Sequence, residues 1–283
     1  MNKYTTKDFD TEFPNDDACL EWIKNHRYPN GITCPKCQKV TKHHRVKSRP
    51  CYECDYCGHQ VYPTADTIFH KSTTPLRLWF QAIYRMASTR CGISAKQIER
   101  ETGVTYKTAW RMFKQIRELL GEDIAKLNKE VEVDETYVGG VRRGKRGRGA
   151  ANKSKVIGAT QRQGKVVARV SPDVKRSSLV PFITKNVDRD ATLYTDEFPS
   201  YDTMSRIGYK HIRINHNAKV FAIGKTHTNT IEGFWSLVKR GIDGVYHSVS
   251  PQYLQSYLNE YSFRYNHRKS ETSMFKIFLS RIS

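Results

Sequence analysis

The sequence predicts an α/β protein in which a mixed-sheet domain follows a small cysteine-bound ribbon and a helical segment. Three observations predict it. Two C-x-x-C pairs stand at 34–37 and 54–57, and two helical runs flank a Gly-containing turn between 94 and 120. From residue 126 onward, short β-rich runs alternate with helical ones. The 283 residues then divide into an N-terminal helical segment (1–30), a ribbon (31–70), a helix-turn-helix domain (71–125) and an α/β domain (126–283).

Charge narrows the partner. The chain has 48 Lys+Arg against 28 Asp+Glu, a formal net charge of +20. That excess attracts polyanions, with nucleic acid first among them. No run of 18 apolar residues is present, which argues against a membrane protein, and MNKYTTKDFDTEF has no apolar core after its first charges, which argues against a secretory signal. Cytoplasmic, nucleoid-associated localisation is therefore expected. Hydrophobic residues at 38% and aromatics at 11% exclude general disorder.

The charge is unevenly spread. Residues 36–47 hold five Lys/Arg, two His and no acid. Residues 140–155, GVRRGKRGRGAANKSK, hold seven positive charges and no negative one. Their glycines exclude a stable isolated helix or strand, so a flexible basic loop is expected. Arg142, Arg143, Lys145, Arg146 and Arg148 would clamp phosphates there; a solvated surface loop is the plainer reading.

Cys34-Pro-Lys-Cys37 and Cys54-Asp-Tyr-Cys57 are separated by 16 residues, the spacing of a zinc ribbon. Each pair forms a tight knuckle whose thiolates reach one tetrahedral Zn²⁺. Cys51 offers a competing register, Cys51-Tyr-Glu-Cys54, but Gly58 after Cys57 suits a knuckle turn. Cys19 and Cys91 are expected as packed apolar residues. Lys36, Lys42, His43, His44, Arg45 and Lys47 make the ribbon a candidate DNA contact.

Next, residues 75–86 (PLRLWFQAIYRM) predict a helix with Pro75 at its first position. Ser94 and Gln97 form a capping box for a helix ending before Gly103. Residues 106–120 resume, with Ala109, Trp110, Phe113, Ile116 and Leu120 on one side. This is a helix-turn-helix layout in which Lys107, Arg111 and Lys114 lie off the apolar stripe and could reach a DNA groove; a plain helical hairpin has the same pattern.

Beyond it, 129–138 alternates, with Val131 and Val133 on one face and Glu132 and Asp134 on the other. Residues 156–160 and 165–170 read as two further strands, 178–187 as a helix with Pro181 in its first turn, 191–197 as a strand ending at Asp196, and 209–214 as a fifth strand. Three strands, helix, strand, helix and strand is the order of an RNase H-like fold. It sets acids from the first and fourth strands side by side and takes a third from a following helix. Residues 228–240 supply that helix. Thr230, Ile231, Phe234, Trp235, Leu237 and Val238 form its apolar stripe, while Glu232 and Lys239 share the opposite face with Asn229 at its edge. Glu132, Glu135, Glu197 and His227 lie near these positions in supporting or solvated roles, and Glu132 is the rival to Asp134 for a metal. On 253–261 the tyrosines and leucines form a packing stripe, and Glu260 with Arg264 reads as a surface ion pair.

Thirty-five residues separate Asp196 from Glu232, and six separate Glu232 from Lys239. With those intervals, the stretches CPKC…CDYCG, DTIFHKSTTPLRLWFQAIY, GISAKQIERETGVTYKTAWRMFKQIR, VEVDETYVGG, LYTDEFPSY, HTNTIEGFWSLVKRGIDGVYHSVS and YLNEYSFRYNHR together resemble the zinc-ribbon DDE transposases of bacterial insertion sequences, in the group related to the Merlin superfamily. The resemblance implies that Asp134, Asp196 and Glu232 are the catalytic triad and Lys239 its basic partner, with Asn229 as the alternative third ligand. It implies two Mg²⁺ (or Mn²⁺) ions held by the acids and a structural Zn²⁺ in the ribbon. It also implies double-stranded DNA as partner (terminal inverted repeats and target), contacts from Arg240, and a homodimer or higher oligomer. A zinc-ribbon DNA-binding regulator descended from a domesticated, inactive transposase is the alternative reading.

Overall fold

The computed structural model describes residues 4–139, 153–214 and 227–282. Arg142, Arg143, Lys145, Arg146 and Arg148 lie outside the described residues. The chain forms two compact units, one of residues 1–119 with 270–283 and the other of residues 120–269.

The first unit opens with helices α1 (Thr6–Glu12) and α2 (Asp16–Arg27). Their caps are written locally: Thr5 and Asp8 close a full capping box, and Asn15 accepts from Ala18 N. A three-stranded antiparallel sheet follows, β1 (His43–Val46), β2 (Cys51–Cys54) and β3 (Gln60–Val61), in that order. Helices α3 (Leu76–Ser88), α4 (Ala95–Thr102) and α5 (Tyr106–Leu119) come next. Pro75 is the residue before α3 and not its first. Ser94 caps α4 by accepting from Gln97 N at 3.2 Å, but the reciprocal half of the box is absent because the Gln97 amide turns to Glu101 at 2.8 Å. Gly103 ends α4 at φ 74°, a left-handed conformation that glycine adopts without strain.

The last helix, α9 (Met274–Leu279), belongs to this first unit, whereas the sequence assigned 270–283 to the α/β domain. The reason is aromatic packing: the Phe275 ring lies 4.9–6.0 Å from those of Tyr4, Phe9, Phe13 and Tyr84. Cys19 is buried as expected, but Cys91 is exposed.

The second unit is a five-stranded mixed sheet of RNase H-like form. Its strands are β4 (Glu130–Val138), β5 (Ser154–Gln161), β6 (Val166–Ser171), β7 (Thr192–Thr195) and β8 (Lys210–Arg213), in the order β6-β5-β4-β7-β8. The β4–β5 and β5–β6 pairs are antiparallel, while β4–β7 and β7–β8 are parallel. Helix α6 (Arg176–Asn186) joins β6 to β7 and starts earlier than expected, so Pro181 lies inside it. The helix expected between β7 and β8 is reduced to the 3₁₀ turn Pro199–Tyr201.

Both sheet faces are buried. On one, Val131, Val133, Ile157 and Leu193 pack with Leu179, Phe182 and Ile183 of α6. On the other, Val156, Val166 and Ala168 pack with α7 (Asn229–Gly241) and α8 (Pro251–Asn266) through Ile231, Trp235, Val238, Leu254 and Leu258. The two-residue period of β4 therefore turns Val131 and Val133 toward α6, and Glu132 and Asp134 toward α7. On α8, Leu254, Leu258 and Tyr261 are buried in the expected stripe. Glu260 and Arg264, however, are a buried pair, 0% and 7% exposed, and not a surface one. The guanidinium donates twice to Glu260 Oε1, at 2.7 and 3.1 Å.

Candidate active site and metal centre

In the ribbon, the Sγ atoms of Cys34, Cys37, Cys54 and Cys57 all lie within 4.8 Å of one another. Cys34 and Cys57 are 3.5 Å apart, and Cys37 and Cys54 3.9 Å. Thiolates about 2.3 Å from a tetrahedral zinc stand roughly 3.8 Å from each other, so donor type and spacing both fit that ion. Two matching turns bring them together. Gln38 N donates to Cys34 O and Gly58 N to Cys54 O, each closing a knuckle on a residue of positive φ (62° and 67°). The Thr41 hydroxyl beside Cys54 holds that thiol down to about 6. Cys51 is fully buried on β2, apart from the cluster.

Elsewhere on the ribbon, Arg45 is committed to Asp17 at 2.7 Å, and His44 pairs with Asp55. On α5, Lys107 and Arg111 are exposed. Arg111 donates to Thr74 at 3.3 Å, and Lys114 lies 3.7 Å from Glu118.

In the second unit, a cavity of about 790 Å³ opens between β4 and α7. Asp134, Glu135, Glu232, Lys239 and Arg240 line it together with Trp235, Asp243 and Gly244. Asp134 comes from mid-strand. Glu232 stands in the first turn of α7, where it accepts from the Thr228 hydroxyl at 2.8 Å, and Lys239 follows on the same exposed face two turns later. Asn229 is exposed at the start of α7 and is not among the lining residues.

Burial raises the Asp134 carboxyl to about 7, and the neighbouring charges of Glu135 and Asp196 add to the effect. The indole of Trp235 opposes it by donating to Asp134 Oδ2 at 3.1 Å. Gly158, directly opposite Asp134 in the β4–β5 register, makes room for that indole. A Cβ on Gly158 would lie 2.5 Å from two Trp235 ring carbons. Asp196 follows β7, half-buried, and its Oδ1 accepts from Phe198 N at 2.9 Å. Asp134, Asp196 and Glu232 do not form a set as close as the cysteines.

Glu132 is not a rival ligand. It is 0% exposed, and its carboxylate accepts from Arg162 Nε, Thr230 N, Thr230 Oγ1 and Ile231 N at 2.8–3.0 Å. A carboxylate has about four lone-pair sites, and four donors fill them. Glu135 is also buried and takes the Tyr201 hydroxyl at 2.8 Å. Trp235 was read from sequence only as part of an apolar stripe. Asp243 carried no sequence signal, because it reaches the cavity from a π-helical turn, Ile242–Tyr246, that continues α7.

Comparison with known proteins matches residues 126–266 to the ISXO2-like transposase domain and residues 14–60 to the transposase zinc-ribbon domain. The chain is 26% identical over 271 residues to an uncharacterized protein in transposable element ISH50 of Halobacterium salinarum, covering 89% of this chain and 91% of that one. An uncharacterized transposase-like protein of Haemophilus influenzae is 34% identical over 114 residues, 40% of this chain and 91% of that one. Among solved structures, a chain of a pre-cleavage Mos1 transpososome aligns over 72% of this chain and 78% of its own, with 14% identity and a TM-score of 0.29.

Proposed function

The chain belongs with the transposases that join an ISXO2-like transposase domain to a transposase zinc ribbon, and from that premise we propose that it binds the terminal inverted repeats of an insertion sequence and cleaves and transfers their DNA strands. The observation that carries the reading is the shared cavity: Asp134 and Glu232 reach it from a strand and a helix, and Lys239 and Arg240 stand on its wall. Asp196 acts on Asp134 through its charge.

The donor set suits Mg²⁺ or Mn²⁺, which prefer hard carboxylate oxygens. An ionised Asp134, desolvated beside two other acids, carries negative charge that a bound cation would offset. Two ions about 3.5–4 Å apart span a wider set of donors than one tetrahedral ion does. Such ions activate the attacking oxygen and stabilise the leaving one. Asp134, Asp196 and Glu232 would hold these ions. Lys239 and Arg240 hold phosphate oxygens at the cavity mouth as charge-assisted donors.

The ribbon's four thiolates hold Zn²⁺, which stabilises a module with little core of its own. Lys107, Arg111 and Lys114 on α5, with the basic segment 140–155, position the DNA backbone. Synapsis of two ends requires at least a homodimer on DNA, and the site of action is the cytoplasm, at the nucleoid.

The test is strand transfer with DNA ends from the flanking element in Mg²⁺ or Mn²⁺. Wild type should nick and join such ends, and Asp134→Ala or Asp196→Ala should abolish both steps. Wild-type strand transfer by either variant would sink the assignment.

A further inference from the structure

The three candidate acids come from β4, the end of β7 and α7, and one ion pair, on β4 and just after β5, touches residues beside each: Tyr194 on β7, and Thr230 and Ile231 on α7. Glu132 sits on β4 two residues before Asp134. Its Cα partner across the parallel β4–β7 register is Tyr194, two residues before Asp196. Its carboxylate accepts from the backbone and hydroxyl of Thr230, two residues before Glu232.

Arg162, just after β5, completes the tie. Its Nε donates to Glu132 at 2.8 Å, and its terminal nitrogen donates to the His227 carbonyl at 2.6 Å, two residues before α7. The guanidinium also lies 4.0 Å from the Tyr194 ring centroid. Thr228, the residue preceding α7, makes no side-chain cap, so the amides of Thr230 and Ile231 are satisfied by Glu132 from the sheet. A carboxylate at a helix N-terminus is further favoured by the helix dipole.

We propose that the Glu132–Arg162 pair is a positioning device that sets the spacing of Asp134, Asp196 and Glu232, and so the affinity of the acid site for its divalent ions. Glu132 itself holds no metal, since its lone pairs are taken. The inference rests on the reading of the three acids as metal-holding groups. A general structural role predicts only lost stability when the pair is broken. A positioning role predicts lost metal affinity even where the fold survives.

The probe is Mn²⁺ alone, titrated into the full chain and followed by calorimetry and electron paramagnetic resonance. Asp134→Ala should abolish the site. Glu132→Gln and Arg162→Lys, which keep size or charge but not the full set of contacts, should weaken Mn²⁺ binding roughly 10- to 100-fold, as is common for groups that orient metal ligands. Glu260→Gln, which disturbs a buried pair elsewhere in the same unit, should lower the melting temperature and leave Mn²⁺ affinity unchanged. If Glu132→Gln does not fold, Arg162→Lys decides alone. Wild-type Mn²⁺ affinity in the folded variants, with Asp134→Ala still inactive in binding, overturns the positioning role and leaves the active-site reading standing. Wild-type Mn²⁺ affinity in Asp134→Ala overturns the reading itself.

Discussion

The indole nitrogen of Trp235 donates to Asp134 across the gap that Gly158 leaves in the neighbouring strand. A helix residue thereby holds a strand carboxylate, and the absence of one side chain on β5 allows it. Gly158→Ala places a methyl 2.5 Å from the Trp235 ring, which is packed against the sheet and cannot simply swing away. Such overpacking costs about 1–3 kcal/mol. Thermal denaturation should show a melting point lowered by several degrees, with cleavage activity reduced as well. A variant melting and cutting like wild type would show that the ring has another place to go.

Asp134 gives stability a specific pH dependence. Its carboxyl titrates near 3.8 when unfolded and near 7 when folded. Between those values the native state keeps a proton that the unfolded chain has lost, so the contribution to stability falls as pH rises and reaches its full cost above 7. In divalent-free buffer Asp134→Asn should therefore be more stable than wild type at pH 8, by an amount on the order of 4 kcal/mol. The two should converge near pH 4. A difference independent of pH would remove Asp134 as its source.

The buried Glu260–Arg264 pair should be costly to halve. Glu260→Ala removes the carboxylate that accepts two guanidinium hydrogen bonds in the interior, at about 3–5 kcal/mol. Replacing both residues with Met should cost much less. A loss of only a few tenths of a kcal/mol in the single variant, as for a helix-surface pair, would mean that Arg264 finds solvent.

Cys51 and Cys54 should behave differently despite forming a C-x-x-C of their own. Cys51→Ala should retain one zinc per chain, whereas Cys54→Ala should lose it and expose the ribbon to proteolysis. Zinc content by atomic absorption separates the two. Loss of zinc in Cys51→Ala would move the metal to the other register.

How much of this was legible in the sequence depends on the range of the contacts involved. The β4 alternation, the cysteine knuckles, the Ser94 cap and the apolar stripe of α7 are fixed within a few residues, and the structure follows them. Glu132 was ambiguous because its polar partners at Thr230 and Ile231 are 98 and 99 residues away. Nothing local distinguishes a carboxylate that meets a helix N-terminus from one that meets a metal. The Glu260–Arg264 spacing revealed a pair but not its burial, since helical periodicity reports which side chains neighbour each other and not what covers them. The 126–283 boundary failed at its end for the same reason: Phe275 finds its ring partners near the opposite end of the chain.

That return of residues 270–283 to the first unit also orders events during synthesis. The second unit, residues 120–269, is complete in sequence before Phe275 leaves the ribosome. The ring cluster of Tyr4, Phe9, Phe13 and Tyr84 must wait for its fifth member until residue 275 has been translated. The unit that begins first in sequence thus receives its last packing residues after the sequence of the other is complete, whereas domains usually fold in N-to-C order during synthesis.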